Sequence, residues 1–125
     1  MFDTLRLLPM LPAHDPDRAR DWYRDHLGLT PTRELPELEM NVFPGFISYR
    51  SPNAGTARST AAVWLAPDFD AAVAELRRRA VPLETYDMPE LSWEDGVATD
   101  PLGGHACWFV DSEGNTFMVS DLGVS

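Results

Sequence analysis

Apolar and polar residues follow two spacings along this chain, one typical of strands and the other typical of helices. Residues 5–11 are mostly apolar and predict a buried strand, with Pro9 marking its start or a kink. A helix is predicted next, because Asp15 can cap its first turn and Pro16 suits its first position. Its apolar face ends at Gly28, a residue type that commonly terminates helices.

A second strand and a second helix are predicted farther along the chain. Residues 60–66 are apolar, Asp68 can cap the helix, and apolar residues recur at helical spacing up to Ala80, just before Pro82. The arginines at 77–79 then fall in the last turn, where positive charge meets the negative end of the helix dipole. We therefore interpret this run of charge as a structural feature of the helix.

The two segments repeat one another at a constant offset of 53 positions. The matching pairs are Ala13 with Ala66, Asp15 with Asp68, Asp17 with Asp70, and Ala19 with Ala72. Because the matches coincide with both helix starts, we interpret the chain as a tandem duplication.

Further strands are predicted after each helix. They cover residues 30–33, 40–43 and 46–50 in the first copy, and 83–86, 96–98, 105–110 and 115–120 in the second. The turn at residues 111–115 joins two apolar runs and predicts a hairpin. The pattern predicts one domain over residues 1–125, with a first unit at about 4–52 and a second at about 57–123.

Composition narrows the classes of function. The chain has 125 residues and a formal net charge of -10, and all ten of its basic residues are arginine. Nucleic acid is therefore not expected as a partner, because polyanion binding depends on basic side chains. No apolar run is long enough to span a membrane, no secretory signal precedes the first strand, and the single cysteine cannot form an internal disulfide. We expect a soluble cytoplasmic protein.

Several motifs together resemble the vicinal oxygen chelate superfamily of glyoxalases, bleomycin-resistance proteins and dioxygenases. These are D-x-D-x-A entering a helix that carries W-Y and then H-L-G-L, the hairpin D-S-E-G-N, and P-M-L-P-A-H-D at 9–15. The stretches at 51–57 and 106–115 are similar to an actinobacterial glyoxalase-like branch. The resemblance implies an α+β fold of two tandem βαβββ units, which form half-open barrels and enclose a cavity.

Enzymes of that superfamily hold a divalent metal on the strand interiors, so the resemblance also implies where ligands would stand. The first position is occupied by Leu8, its equivalent in the second copy by Ala61, and the position on the closing strand by Met118. The corresponding strand of the first copy, residues 46–50, contains no carboxylate, imidazole or amide. Since these side chains are poor ligands for hard divalent ions, we expect no metal and no other cofactor.

The same substitutions predict an apolar pocket that binds a small organic molecule. The expected lining consists of Leu8, Met10, Ser48, Tyr49, Ala61, Val63, Trp93, Trp108 and Met118. Trp93 lies in a polar, acidic stretch that is expected to be a loop at the cavity mouth, and Trp108 is expected to face Met118 across the hairpin. A register shift of one residue would place Phe109 there instead.

Sequestration by a homodimer, in the manner of bleomycin-resistance proteins, is the favoured function, with a planar or cationic ligand and no catalytic residue. The alternative is a metal-dependent lyase, isomerase or dioxygenase that uses His105 with Glu39 or Glu113. Two other possibilities stay open, namely that the apolar residues fill the barrel or that the chain only binds another protein. Cys107 points to the same side of its strand as His105, but two ligands do not make a metal site.

Overall fold

The computed structural model describes residues 1–122, and each half of the chain forms one sheet and one α-helix. The first half contains β1 (Met10–Ala13), α1 (Pro16–Leu27), β2 (Arg33–Leu35), β3 (Met40–Phe43) and β4 (Phe46–Arg50). The second half contains β5 (Thr60–Leu65), α2 (Phe69–Arg78), β6 (Ser92–Glu94), β7 (Val97–Thr99), β8 (His105–Val110) and β9 (Thr116–Ser120). Short 3-10 helices cover Phe2–Thr4 and Pro36–Leu38. The expected end of the second unit, at residue 123, lies outside the described residues.

Both sheets have the same strand order. The first sheet is ordered β1-β4-β3-β2 and the second β5-β9-β8-β7-β6. In the first sheet β1 runs parallel to β4, and in the second β5 runs parallel to β9. The predicted α+β fold of two tandem βαβββ units is confirmed, with β6 as an additional edge strand in the second unit. Neither α-helix within residues 1–122 is long and apolar enough to cross a membrane.

Both α-helices begin where the sequence predicts, whereas α2 ends at Arg78, two residues before the predicted Ala80. The Asp15 carboxylate accepts a hydrogen bond from the Arg18 N–H at 3.0 Å, and the Asp68 carboxylate accepts one from the Ala71 N–H at 3.1 Å. Gly28 ends α1 in the left-handed conformation, at φ 68°. Equivalent caps at the two repeated aspartates support the interpretation of the chain as a duplication.

The first strand is shorter than predicted. The prediction of a strand over residues 5–11 is wrong, because β1 covers only Met10–Ala13 and most of the preceding residues are exposed. Pro9 and Pro12 have no N–H to donate, so β1 is limited to the edge of its sheet, where it pairs only with β4.

Three other elements differ from the sequence prediction. The strand predicted at 30–33 lies instead at Arg33–Leu35, since Pro31 cannot donate a hydrogen bond to a neighbouring strand. Residues 83–86 form a single bridge, in which the Glu84 N–H donates to the Trp108 carbonyl at 2.8 Å. Trp93, expected in a loop, lies in β6.

The core lies between the two sheets and the two helices. The Phe46 ring centroid lies 6.5 Å from that of Phe117 and 6.1 Å from that of Trp64, so side chains of both sheets meet there. We call the sides of the sheets that meet in this core the inner faces and the opposite sides the outer faces. Within one chain the two outer faces therefore point away from the shared core.

A buried polar network joins α1 to the hairpin turn between β8 and β9. The Tyr23 hydroxyl donates to the Asp111 carboxylate, and the Arg18 guanidinium donates to both oxygens of Glu113 at 2.8 and 2.9 Å. The Asp15 N–H adds a hydrogen bond of 3.0 Å to Glu113. The two halves of the chain are thus held together by directed bonds as well as by apolar packing.

Glu113 predicts how the stability of the protein depends on pH. Burial alone raises the pKa of this carboxyl group, but hydrogen bonds from Arg18, the Asp15 N–H and Ser112 outweigh burial and lower the pKa to about 2 from its ordinary value of 4.5. Because the pKa is lower in the folded state than in the unfolded state, this stabilisation is complete above the ordinary pKa and is lost as the pH falls toward 2.

As the pH falls from above 4.5 toward 2, we expect the wild-type protein to lose about 2 kcal/mol more stability than Glu113→Gln. This value is smaller than the full pKa shift implies, because Arg18 is partly exposed and solvent weakens the ion pair. Urea denaturation of both proteins at a series of pH values measures the difference. If stability fell equally with pH in the two proteins, the bonds of the Glu113 carboxylate would not be the cause of the pH dependence.

Candidate functional site

The outer face of the second sheet carries a row of apolar side chains at its centre. Val63 on β5 is the register partner of Met118 on β9, and Met118 is the partner of Trp108 on β8. The predicted pairing of Trp108 with Met118 is therefore confirmed. Phe109 points to the inner face, where it is fully buried.

Trp108 is the centre of an aromatic cluster. Its ring centroid lies 5.7 Å from that of Trp93 and 5.6 Å from that of Tyr86, with Tyr86 nearly perpendicular to it at 88°. Trp93 is fixed by a hydrogen bond from its indole N–H to the Met88 carbonyl at 3.4 Å. Trp108 is only 7% exposed, whereas Tyr86 is 40% exposed, so Tyr86 presents the accessible edge of the cluster.

A carboxylate lies next to this cluster. Glu84 is the bridge partner of Trp108, and partners in antiparallel pairing point to the same face, so Glu84 and Tyr86 stand on the outer face with Trp108. Glu84 is exposed. Burial raises the pKa of the Tyr86 hydroxyl, and the negative charge of Glu84 raises it further. The site therefore combines π faces with a nearby negative charge.

Glu84 and Tyr86 were not identified from the sequence. Their two-residue spacing was the available signal, because alternate residues of a strand share a face. Which face they share depends on the bridge to Trp108, and that pairing joins residues far apart in the sequence.

The outer face of the first sheet is also apolar. Met10 pairs with Ile47, which pairs with Val42, and Tyr49 lies in the next row between Pro12 and Met40. Met10 is 45% exposed although it belongs to a strand. Of the predicted lining residues, Met10 and Tyr49 thus lie on this sheet and Val63, Trp93, Trp108 and Met118 on the other.

Three predicted lining residues are not part of either row. Ser48 lies on the inner face and is 1% exposed, because its neighbour Tyr49 points outward. Leu8 is partly buried in the segment before β1, and Ala61 is exposed where the register of β5 and β9 is irregular.

The residues present do not fit a divalent metal site. Across residues 1–122 there is no group of three or more His, Cys, Asp or Glu side chains that could hold an ion. Glu113 already accepts bonds from Arg18, Asp15 and Ser112, and the His105 imidazole interacts with Asp121 at 3.0 Å. The metal ligands suggested for the enzymatic alternative are thus not assembled here.

Comparison of the structure with solved structures identifies the fold. A bleomycin-binding protein complexed with bleomycin matches with a TM-score of 0.69 at 15% sequence identity, over 94% of this chain and 98% of that chain. A lactoylglutathione lyase from Agrobacterium tumefaciens matches with a TM-score of 0.68 at 18% identity, over 94% and 92% of the two chains. The chain has the vicinal oxygen chelate fold.

The resemblance seen in the sequence is thus confirmed at the level of the fold. A glyoxalase/bleomycin resistance protein from Catenulispora acidiphila has the same vicinal oxygen chelate fold, with a TM-score of 0.59 and 23% identity over 94% of this chain and 97% of that chain. No family model and no curated protein sequence matches the chain. Proteins of this fold at similarly low identity include both a bleomycin-binding protein and a lactoylglutathione lyase, so the fold alone does not determine function.

Proposed function

We propose that this protein binds and sequesters a small aromatic cation, without a metal, on the outer face of its second sheet. The observation that carries the proposal is the placement of Glu84 on the same face as the cluster of Tyr86, Trp93 and Trp108. Aromatic faces attract cations through their quadrupole, and a neighbouring carboxylate adds charge complementarity. The formal net charge of -10 favours the approach of a cation to the whole molecule.

The rest of the outer face suits the apolar part of such a ligand. Val63 and Met118 extend the surface next to Trp108, and methionine adapts its shape to an aromatic partner. Because the side chains of this face do not fit a divalent metal, we expect the ligand to bind by burial of its apolar surface and by stacking on the aromatic rings. This arrangement favours sequestration over a metal-dependent lyase, isomerase or dioxygenase.

We further propose that two copies of the chain form a homodimer in which the outer faces of their sheets enclose the ligand. Met10 and Val63 are large apolar residues on strands, yet they are 45% and 42% exposed on one chain. Each belongs to an apolar row, Met10 with Ile47 and Val63 with Met118, and contiguous apolar surface of this kind is found at interfaces. Since the two outer faces of a single chain point away from each other, a second copy is needed to close a cavity over either of them.

Native mass spectrometry with N-methylquinolinium as the probe tests ligand and dimer together. We expect a dimer of twice the 14.0 kDa chain mass with one or two probe molecules bound. Glu84→Gln should weaken probe binding by about fivefold, because it removes the charge beside the aromatic rings and keeps their geometry. The neutral isostere 1-methylnaphthalene should bind more weakly than the cation.

Glu94→Gln is the matched control. Like Glu84→Gln, this substitution removes one negative charge from an exposed side chain. Glu94 follows Trp93 in β6, however, and therefore points to the other side of the sheet. Equal weakening by both variants would mean that only the overall charge matters, and it would overturn the proposed site. A monomer would overturn the dimer, and a stoichiometric divalent metal would overturn metal-independent binding.

A further inference from the structure

A second pocket lies on the opposite side of the first sheet from the outer face. It has a volume of about 390 Å³ and lies between the first turns of α1 and the edge formed by β2 and β3. Asn41 on β3 lines this pocket and is the register partner of the inward-pointing Ser48. The pocket therefore belongs to the helix-covered side of the sheet and is separate from the proposed site around Trp108.

The side chain of Asn41 lines this pocket and bonds to no other side chain or backbone group of the described residues. The residue is only 6% exposed. The amide atoms are not sealed from solvent, because Trp64 Nε1 is the one fully buried side-chain polar atom without a partner among residues 1–122. An amide in this position is ready to bond to a molecule that enters the pocket.

The wall of the pocket is negatively charged. Arg20 spans it from α1, with its Nη1 atom 3.4 Å from the Asp17 carboxylate and 3.2 Å from the Glu34 carboxylate. These contacts use the Nη1 donors of Arg20, and its Nε donates to Asp21 at 3.4 Å. Glu39, which also lines the pocket, makes no ion pair with the residues of the described chain and leaves an uncompensated negative charge.

We propose that this pocket is a second binding site, for a small organic cation that donates N–H groups, such as a guanidine or a primary amine. The Glu39 carboxylate and the Asn41 carbonyl oxygen are acceptors, so they match a ligand rich in N–H donors. An anion is disfavoured because the guanidinium of Arg20 already interacts with Asp17 and Glu34. The pocket volume suits a molecule of about ten heavy atoms rather than a macromolecule.

Agmatine, which carries a guanidine and an amine, is the probe for this site, and nuclear magnetic resonance of ¹⁵N-labelled protein is the measurement. We expect saturable shifts of the Asn41 side-chain amide and of the Arg20 signals, with no comparable shift of the Trp108 indole. N-butylurea, a neutral molecule of similar shape, should bind at least fivefold more weakly.

Glu39→Gln should weaken agmatine binding by about fivefold, since it removes the unpaired charge while keeping the side-chain shape. Glu37→Gln is the matched control, because Glu37 is exposed in the neighbouring 3-10 helix and does not line the pocket. Its affinity should stay within twofold of wild type.

Four results would overturn the second site, three of which concern the pocket itself. These three are the absence of saturable shifts, equal weakening by both variants, and equal binding of N-butylurea. Shifts centred on Trp108 and Tyr86 instead would also overturn it, while leaving the proposed function of the outer face intact. Failure of N-methylquinolinium to bind would overturn only the outer-face site.

Discussion

Replacing Gly114 by alanine is expected to cost about 3 kcal/mol of stability. Gly114 lies in the hairpin turn at φ +86°, a conformation that side chains rarely adopt, and a Cβ atom there would lie 2.7 Å from the Gly55 Cα atom. The left-handed conformation contributes about 1–2 kcal/mol to the cost and the backbone clash about 1–3 kcal/mol. Urea denaturation monitored by tryptophan fluorescence measures the change in the free energy of unfolding.

Gly103→Ala separates the two contributions. Gly103 has almost the same φ, +87°, but a Cβ atom added there would meet nothing within 4 Å. Its substitution should therefore cost only the conformational part, about 1–2 kcal/mol. If both variants lose the same stability, the close approach of Gly114 to Gly55 does not contribute to the loss. That result would contradict the predicted backbone clash.

Asp111→Ala is expected to be at least as damaging, with a loss of about 3–5 kcal/mol. The carboxylate is 6% exposed and accepts hydrogen bonds from the Tyr23 hydroxyl, from the Glu113 N–H and from both the backbone and the side chain of Asn115. Burial, followed by the charge of Asp111, raises the pKa of Tyr23, so its hydroxyl remains a donor at all ordinary pH values. Removing this acceptor leaves the proton of the buried hydroxyl without an acceptor.

Two comparisons distinguish this buried network from an ordinary turn. Asp100 also accepts two backbone N–H bonds, from Leu102 at 2.7 Å and Gly104 at 3.0 Å, but it bonds to no buried hydroxyl. We expect Asp100→Ala to cost about 1 kcal/mol and Tyr23→Phe about 1–2 kcal/mol. Calorimetric melting of the three variants provides the measurement, and equal losses for Asp100→Ala and Asp111→Ala would refute a special role for the network.

Features encoded by neighbouring residues were predictable from the sequence. The caps at Asp15 and Asp68 depend on contacts within one helical turn, and the bounds of β3, β4 and β8 follow local alternation and turn residues. The repeat at the two aspartates then made the order of elements predictable for both halves. Local signals of this kind are independent of how distant segments pair.

The candidate site was predictable only in part. Trp108 and Met118 face each other across a tight hairpin, and their pairing follows from the turn itself. The position of Glu84 depends on a bridge to a strand more than twenty residues away, and the sequence contains no signal for that partner. Ser48 and Tyr49 cannot both line the outer face, because neighbouring residues of a strand point to opposite faces.

The bonds between α1 and the hairpin turn join residues far apart in the order of synthesis. Tyr23 and Asp111 are separated by 88 positions, and the Arg18 and Glu113 side chains by 95. While the ribosome is still making the second half, the first half can form its helix but has no partner for these side chains. Although the two units have similar folds, the first must therefore wait for the second before its native structure is complete.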